Sequence, residues 1–322
     1  MNNYPLSDHF DGKQFYNPWN RKRPSFLGVL RWRLTAKPKP WPSKMGTAIL
    51  DVPPARVTGP DLRACFVGHS TVLLQTDGLN ILTDPMWAQS ASPFPWFKIP
   101  RFHPPGIDFD DLPKIDIVLI SHNHYDHLNL ETLQKLFKRD NPRIFAPLGM
   151  DQIIPYPTET LDWHTSISID EETAIHLEPA QHWSKRGLWD TDKTLWGSFV
   201  IQTKSGLIYF AGDTGYGPHF KKTHEKFGPF RFALLPIGAY EPRWFLRWAH
   251  MSPEDAVLAH RDLGMPPTMA IHHGTFRLSD EGYEDPVLTL EENKKLLGIS
   301  QELFRALKIG ESWNISNTIS KS

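Results

Sequence analysis

Three histidines and one aspartate lie within six residues of this chain: His122, His124, Asp126 and His127. They follow Asp116–Ile120, a continuous apolar run that predicts a buried strand. Residues two apart in an extended segment point the same way, so His122, His124 and Asp126 can face one point. His127, one step further on, must then reach a second point. Imidazole and carboxylate groups suit zinc, and a bridging carboxylate lets two divalent cations lie about 3.5–4 Å apart, so the spacing predicts a two-metal site.

Three further candidate ligands lie at or just beyond the ends of other apolar runs. They are His182 after Thr173–Leu177, Asp213 after Leu207–Ala211 and His272 after Thr268–Ile271. Ligands of α/β sheets bind at the ends of the strands, where such residues converge on one edge of a sheet. A single histidine beside a strand is usually an ordinary hydrogen-bonded residue, whereas four such segments together favour a metal centre.

The elements that must position these residues alternate between strands and helices from Arg63 onward. Besides the runs above, short strands are predicted at Cys65–Gly68, Thr71–Thr76, Asn80–Thr83, Arg143–Phe145, Ser198–Thr203 and Phe232–Leu235. Helical signals cover Leu130–Phe137 and Leu290–Phe304, and another helix begins at Ser252 with Pro253 in its first turn. Strands mixed with helices over about 260 residues indicate a single α/β or α+β domain.

Composition narrows the class of protein. The 322 residues include 35 Lys plus Arg and 36 Asp plus Glu, a net charge of −1, so we expect no nucleic-acid partner. Cys65 is the single cysteine, which excludes an intrachain disulfide and a zinc site of several thiolates. No apolar run approaches the roughly 18 residues of a membrane-spanning helix, and the N-terminus lacks a secretory pattern. We therefore predict a cytoplasmic location.

Residues 1–58 differ from the rest of the chain. Between Asp11 and Asp51 there are nine Lys or Arg and no acidic residue, with six aromatic residues interleaved. One interpretation is an extended arm that packs its aromatic side chains on the main domain. The other is a patch that touches anionic lipid headgroups with tryptophan at the interface, and both can hold at once. The pattern leaves the oligomeric state open.

The order of the candidate ligands resembles the metallo-β-lactamase superfamily, and the resemblance covers about residues 60–315. It implies an α/β (α+β) fold of the αββα type, in which two mixed β-sheets face each other, helices lie outside and two metals bind along one edge. It also implies that one metal is held by His122, His124 and His182, the other by Asp126, His127 and His272, with Asp213 bridging.

Longer segments are similar to the N-acyl-phosphatidylethanolamine-hydrolysing phospholipase D family. These segments are Phe66–Thr71, Pro179–Ser184, Leu195–Ser198, Ala211–Tyr216, Pro236–Trp244 and Ala270–Phe276. The resemblance implies a hydrolase domain over 59–316, between the arm and a tail at 317–322, that cleaves N-acyl-phosphatidylethanolamine into phosphatidic acid and N-acylethanolamine. Residue 273 is His where the animal enzymes are expected to carry Trp, which makes His273 a further candidate ligand.

The residues allow in-line attack on phosphorus by a hydroxide shared between two Zn²⁺ ions, with iron or manganese as alternatives because the same ligand types hold all three. Asp126 can orient or deprotonate the metal-bound water. His250 can protonate the leaving alkoxide or contact the phosphate. Other candidate residues support the ligands or the substrate: Asp84 and His69 fix imidazoles, while Tyr240 and Arg243 bind phosphate oxygens, unless Arg243 only pairs with Glu241.

Access for a lipid requires apolar surface beside the metals. The loop Met86–Pro105 and the segment Trp244–Ala249 are rich in aromatic residues. They either receive a phospholipid, with peripheral membrane contact, or close the edge of the sandwich. Two other functions stay open: a metallo-hydrolase of another small ester, lactone or phosphodiester, and a non-catalytic lipid or nucleotide sensor.

Overall fold

Two β-sheets build the protein. The computed structural model describes residues 4–21, 26–92 and 96–316, and within these ranges each sheet has seven strands. The first sheet contains β1 (Leu62–Gly68), β2 (Thr71–Thr76), β3 (Leu79–Thr83), β4 (Ile117–Leu119), β5 (Arg143–Pro147), β6 (Thr158–Leu161) and β14 (Ser312–Ile315). The second contains β7 (Thr165–Ser168), β8 (Ala174–Glu178), β9 (Ser198–Thr203), β10 (Gly206–Phe210), β11 (Phe232–Pro236), β12 (Thr268–Ile271) and β13 (Phe304–Arg305).

Both sheets are mixed in the same way. The first runs in the order β14-β1-β2-β3-β4-β5-β6, antiparallel as far as β3 and parallel from there to β6. The second runs in the order β13-β12-β11-β10-β9-β8-β7, parallel as far as β10 and antiparallel beyond it. The predicted αββα fold class is therefore confirmed.

Alternation along the strands creates the layers. On β1, Ala64 and Phe66 join the core between the two sheets, whereas Cys65 and Val67 join the core on the outer face. Both faces are covered, so the strand reads as one apolar run instead of an alternating one. Phe199 on β9 meets the same inner core from the opposite sheet.

Six helices lie in the described part of the chain: α1 (Phe26–Thr35), α2 (Leu130–Asp140), α3 (His219–Phe227), α4 (Arg243–Leu246), α5 (Pro253–Asp262) and α6 (Asp285–Leu296). Residues of α2, α3, α5 and α6 pack into the cores on the outer faces of the sheets, whereas α1 packs on α4. Helix α5 begins as predicted, because Ser252 accepts from the Asp255 backbone N–H and Asp255 accepts from that of Ser252. None of the helices in these ranges combines the length and the apolar content needed to span a bilayer.

Two predicted segments differ from the structure. The helix predicted over Leu290–Phe304 is α6, which begins and ends earlier, because Gly298 adopts a left-handed backbone (φ 66°) and Phe304 pairs with β12. The arm contains helix α1 and is therefore not extended throughout, whereas Phe10 and Phe15 enter the core between the sheets, in line with the interpretation that the arm packs its aromatic side chains on the main domain. The predicted tail, 317–322, lies outside the described residues.

Candidate metal centre

The segment after β4 does not stay extended. The backbone N–H groups of His127 and Leu128 both donate to the carbonyl of His124, so the chain turns between them. This turn breaks the alternation that would place His122, His124 and Asp126 at one point. Instead, His122 and His124 lie with one group of residues, and Asp126 and His127 lie with another.

Four overlapping groups of side chains have ligand atoms within 4.8 Å of one another. They are His122–His124–His182, His69–Asp126–His127–His272, His122–His127–Asp213 and His182–Asp213–His250. All seven residues predicted as ligands occur in these groups, which also include His69 and His250. The elements explain this convergence, because the segments follow β1, β4, β8, β10 and β12 on the two facing sheets.

Asp213 lies between the two main groups. Its Oδ2 atom is 3.1 Å from His127 Nε2 and 3.1 Å from His272 Nε2. The same oxygen is 3.9 Å from His182 Nε2 and 4.0 Å from His122 Nε2 on the other side. One carboxylate therefore faces imidazoles of both groups, which is the position that a bridging ligand requires.

Several buried atoms of this cluster have no hydrogen-bond partner among the described residues. They are His124 Nε2, His127 Nε2, His272 Nε2, His250 Nδ1 and Asp213 Oδ1. Buried polar atoms are ordinarily hydrogen-bonded, and leaving one unpaired is costly. Imidazole nitrogens and a carboxylate oxygen are donor atoms for divalent metals, so this donor set fits a metal centre.

Partners outside the cluster orient two of the imidazoles. His127 Nδ1 donates to Asp84 Oδ2 at 2.7 Å, and Asp84 also accepts from the Ser121 hydroxyl at 2.6 Å. His182 Nδ1 donates to the carbonyl of Ala249 at 2.9 Å. Both contacts leave Nε2 free to face the centre, and this is how ligating histidines are commonly held. Asp84 thus has the contact that the sequence predicted for it.

Burial and charge divide the histidines into two classes. Burial keeps the pKa of His122 and of His182 well below the ordinary value, so these imidazoles are neutral, the form that binds metal. Burial also acts against protonation of His272, but Asp213 and Asp126 outweigh it and raise its pKa to about 9. The metal-free centre therefore offsets its carboxylate charge with protons that a bound metal would replace.

His69 holds the Asp126 carboxylate. Its Nε2 donates to Asp126 Oδ2 at 2.9 Å, and its ring is 4.1 Å from that of His272. Burial lowers the pKa of His69 to about 3, so the neutral ring donates from Nε2. The edge of Phe276 packs on this ring, with centroids 5.2 Å apart.

His250 faces the centre without a hydrogen bond from its Nδ1. That atom is 3.9 Å from Asp213 Oδ2, and the ring lies 5.1 Å from His182 and 5.7 Å from His272. Its side chain is 13% exposed, so the ring is reachable from outside. His124 is also partly exposed, and the Trp183 ring packs 4.6 Å from it.

Three candidate residues are not brought into the cluster. Tyr240 is buried against Thr289 of α6, and burial raises its pKa to about 12. Arg243 pairs with Asp255, and its backbone N–H donates to Glu241. The Arg243 side chain also donates to the His250 carbonyl, 3.1 Å away. His273 stacks on Phe66, with ring centroids 5.1 Å apart, and does not occur in the four groups.

Sequence reasoning missed the contacts made by the first residues of the chain. Asn17 Nδ2 donates to the carbonyl of His182 at 2.8 Å, and Trp19 Nε1 donates to Gln181 Oε1 at 2.8 Å. These pairs are separated by more than 160 residues. No local periodicity or spacing signals such a contact.

Two facing mixed sheets with a His/Asp cluster at their edge define the class of protein, one whose site is suited to hold divalent metal. A family model for the beta-lactamase superfamily domain matches residues 79–273. The chain belongs to the metallo-β-lactamase superfamily.

Several proteins of known sequence are similar to this chain. The chain is 35% identical over 277 residues to N-acyl-phosphatidylethanolamine-hydrolyzing phospholipase D 1 of Caenorhabditis elegans, covering 80% of this chain and 76% of the relative. It is 34% identical over 244 residues to the mitochondrial N-acyl-phosphatidylethanolamine-hydrolyzing phospholipase D of Saccharomyces cerevisiae, covering 70% of this chain and 50% of the relative. An uncharacterized protein of Mycobacterium tuberculosis is 39% identical over 240 residues, covering 70% of this chain and 62% of that protein.

Solved structures share the fold at lower sequence identity. The isothiocyanate hydrolase from Delia radicum gut bacteria superposes with a TM-score of 0.62 at 19% identity, covering 78% of this chain and 98% of that chain. Igni18, a metallo hydrolase of Ignicoccus hospitalis, superposes with a TM-score of 0.60 at 22% identity, covering 80% and 99%. These likenesses concern the fold alone.

Proposed function

We propose that this protein hydrolyses a phospholipid phosphodiester, with N-acyl-phosphatidylethanolamine as the substrate and phosphatidic acid and N-acylethanolamine as the products. The observation that carries the proposal is the position of Asp213 between two groups of imidazoles, in a chain similar to phospholipases named for this lipid. An arrangement that can hold two cations side by side suits a phosphoryl group, whose negative oxygens need neutralisation on both sides.

The ligand set follows from the groups around Asp213. One divalent ion, which we propose is Zn²⁺, would be held by His122, His124 and His182. A second would be held by Asp126, His127 and His272, and Asp213 would contact both. When bound, such a pair of ions supplies an acidified water and offsets the charge that develops on the phosphoryl oxygens.

Two residues of the chain complete the proposed reaction. Asp126 orients the attacking water, and the hydrogen bond from His69 fixes the direction of its carboxylate. His250 contacts the phosphate group of the substrate, because its Nδ1 has no partner in the described part of the chain and its ring is partly open. Burial lowers the pKa of His250 to about 4, so the ring is neutral and would act as a hydrogen-bonding partner of the phosphate.

We propose that helix α1 brings the protein to a lipid surface. Leu27, Leu30 and Leu34 recur at the spacing of one helix face and are 71%, 45% and 77% exposed. A row of exposed leucines on a helix without acidic residues suits the headgroup region of an anionic bilayer. The cytoplasmic location and the peripheral membrane contact both stay predictions.

The same helix leads toward the metal centre. The Trp32 ring lies 4.9 Å from that of Phe245 on α4, and the Arg31 guanidinium lies over the ring of Trp244. The chain continues from α4 into His250 within four residues. Helix α1 therefore packs on the segment that leads to His250.

Product analysis tests this function. Zinc-loaded protein is incubated with N-acyl-phosphatidylethanolamine in mixed micelles, beside Asp213→Asn, and the products are identified by mass spectrometry. We expect phosphatidic acid and N-acylethanolamine in equal amounts from the wild type and neither from the variant. Zinc binding without lipid turnover, together with hydrolysis of small soluble esters or lactones, would contradict the proposal and favour a hydrolase of another bond.

A further inference from the structure

Residues 4–21, which we name the N-terminal strap, lie across the domain beside the metal centre. Phe15 is buried in the core between the sheets, and its backbone N–H donates to the Asp192 carbonyl at 2.9 Å. His9 stacks on Trp163 with ring centroids 4.5 Å apart, and its Nε2 is 2.7 Å from an oxygen of Asp162. The strap is therefore part of the folded body and not a loose extension.

The strap ends at the segment that carries a proposed metal ligand. Asn17 is buried, and its Nδ2 donates to the backbone carbonyl of His182 at 2.8 Å. The Trp19 indole N–H donates to Gln181 Oε1 at 2.8 Å, and its ring stacks near those of Trp163 and His219, at 6.0 and 5.7 Å. Two successive residues of the ligand segment are thus held from outside their own sheet.

The segment is also held by its neighbours, because the Gln181 N–H donates to the Thr214 hydroxyl at 2.9 Å and the Gln181 carbonyl accepts from the Gly215 N–H at 2.8 Å. His182 lies in a loop, four residues beyond the end of β8, with no ladder of strand hydrogen bonds to fix it. Gln181 makes an isolated bridge to Gly215, and its side chain donates to the Trp248 carbonyl at 2.7 Å. The carbonyl of His182 itself is held by Asn17. Removing the strap contacts therefore takes away the hydrogen bond at the His182 carbonyl, whereas the bonds of Gln181 and of His182 Nδ1 remain.

We propose that the strap is a positioning element of the metal centre. Asn17 holds the His182 carbonyl and Trp19 holds the Gln181 side chain, so that the His182 imidazole faces His122 and His124, and these two contacts set how tightly that group retains its ion. The inference rests on the proposed metal site. It goes beyond the ligand set, because it assigns a role to two residues that do not touch the metal.

The two proposed metal positions must respond differently. A metal–imidazole bond is about 2.0–2.1 Å long with strict direction, so a small shift of the His182 backbone weakens it. Outer partners of ligands commonly change metal affinity by about 10–100-fold. The group of Asp126, His127 and His272 has no hydrogen bond or ring contact with the strap among the described residues, and Asp84 and β12 hold it instead. Only one of the two ions should bind more weakly.

Metal release measures this difference without an activity assay. Full-length wild type, Trp19→Phe and Asn17→Ala are loaded with zinc, counted by mass spectrometry, and mixed with a chromogenic chelator. His182→Ala identifies which release phase belongs to its group. Trp41→Phe is the matched control, because its indole N–H donates to the Glu281 carbonyl at 3.2 Å and its ring packs on Tyr283.

We expect Trp19→Phe and Asn17→Ala to release that ion at least about tenfold faster, with the other phase and the Trp41→Phe protein unchanged. Trp19→Phe keeps an aromatic ring in the stack, so it reports the hydrogen bond even where Asn17→Ala folds poorly. Unchanged release in Trp19→Phe and in folded Asn17→Ala would overturn the inference. Equal acceleration of both phases with a lower Tm of the metal-free protein would also overturn it, as general destabilisation. A wild type that binds no zinc would instead refute the metal centre.

Discussion

Replacing Asp84 by Asn tests how the protein prepares a ligand. Asp84 is fully buried and accepts from His127 Nδ1, from the Ser121 hydroxyl and from the Ser121 backbone N–H. Its backbone is left-handed (φ 33°), a region that Asn tolerates better than other non-glycine residues. The substitution therefore changes the hydrogen bonding and the charge while keeping the backbone conformation.

The effect on metal binding can be worked out from the hydrogen bonds. An Asn side chain would present an amide N–H to His127 Nδ1, which then has to accept and place its proton on Nε2. His127 Nε2 is the atom that faces Asp213 at 3.1 Å, and a protonated nitrogen cannot bind a metal. Losing such an outer partner costs about 10–100-fold in affinity. This corresponds to roughly 1.4–2.7 kcal/mol of binding free energy.

The metal-free protein should lose stability as well. Burial opposes protonation of His127, but Asp213 and Asp126 outweigh it and hold the pKa of His127 well above the ordinary value, so its Nδ1 keeps a proton. An Asn at position 84 that presents its amide N–H would leave this buried donor without an acceptor, which is costly. We expect a lower metal-free Tm in Asp84→Asn and, in addition, a smaller increase in Tm on adding zinc.

The assay is chelator competition for zinc, with thermal unfolding of the metal-free and zinc-loaded forms. Asp77→Asn is a matched control, because Asp77 is also left-handed (φ 51°) and also accepts from a serine N–H and hydroxyl, those of Ser205. Wild-type zinc affinity in Asp84→Asn would refute the reasoning that Asp84 sets the His127 tautomer. An equal loss in Asp77→Asn would show that the substitution acts through folding.

Three further outcomes are expected. His250→Gln should lower kcat by about 100-fold or more with two zinc ions still bound, and loss of an ion would instead make His250 a ligand. Protein at a free zinc concentration of 100 Kd should lose about 2.7 kcal/mol of unfolding free energy per site when a chelator removes the zinc. An unchanged Tm would contradict the metal centre. Burial opposes protonation of His9, but Asp162 and Asp8 outweigh it and raise the pKa of His9 above the ordinary value. The protonated ring therefore contributes to the free energy of unfolding in full below about pH 6.5, and this contribution declines as the pH rises through the folded pKa. The difference in unfolding free energy between wild type and His9→Gln should therefore shrink toward high pH, and a difference that grew would contradict this sign.

The sequence predicted the elements well where a run of residues has one period. The bounds of β2, β9 and β12 match the predicted strands, and α5 begins at its predicted cap. These signals are local, because the pattern of a buried strand or of a capped helix depends only on residues that are adjacent in the sequence. The αββα architecture came from the family resemblance and not from periodicity, which leaves the order of the strands open.

The parts that could not be predicted depend on distant segments or on a single turn. The turn after His124 separates Asp126 from His122, and nothing in the alternation of types reveals it. The contacts of Asn17 and Trp19 with the His182 segment join opposite parts of the chain. The sequence left two roles open for Arg243, a contact with phosphate oxygens or a pair with Glu241. In the structure its guanidinium pairs with Asp255 on α5.

The backbone itself shows why this sheet edge works as a site. His69, Asp84 and His272 each come directly after a strand, β1, β3 and β12, and each is left-handed, with φ of 57°, 33° and 60°. Continuing the strand would point these side chains above or below the sheet, whereas a left-handed residue turns them along its edge. Such a conformation costs of order 1–3 kcal/mol for a non-glycine residue.

Hydrogen bonds from neighbouring segments hold the backbone at these strained positions. The His272 N–H donates to the His69 carbonyl at 2.8 Å, and the Asp84 N–H donates to the Leu119 carbonyl at 2.8 Å. The His69 N–H donates to the Thr275 hydroxyl at 2.8 Å. Strain of this kind persists only where the surrounding structure enforces it, and it concentrates at functional sites. Of the nine left-handed non-glycine residues among those described, three are strand-end residues at or beside this cluster, so the strain supports the site together with the ligand types and not independently of them.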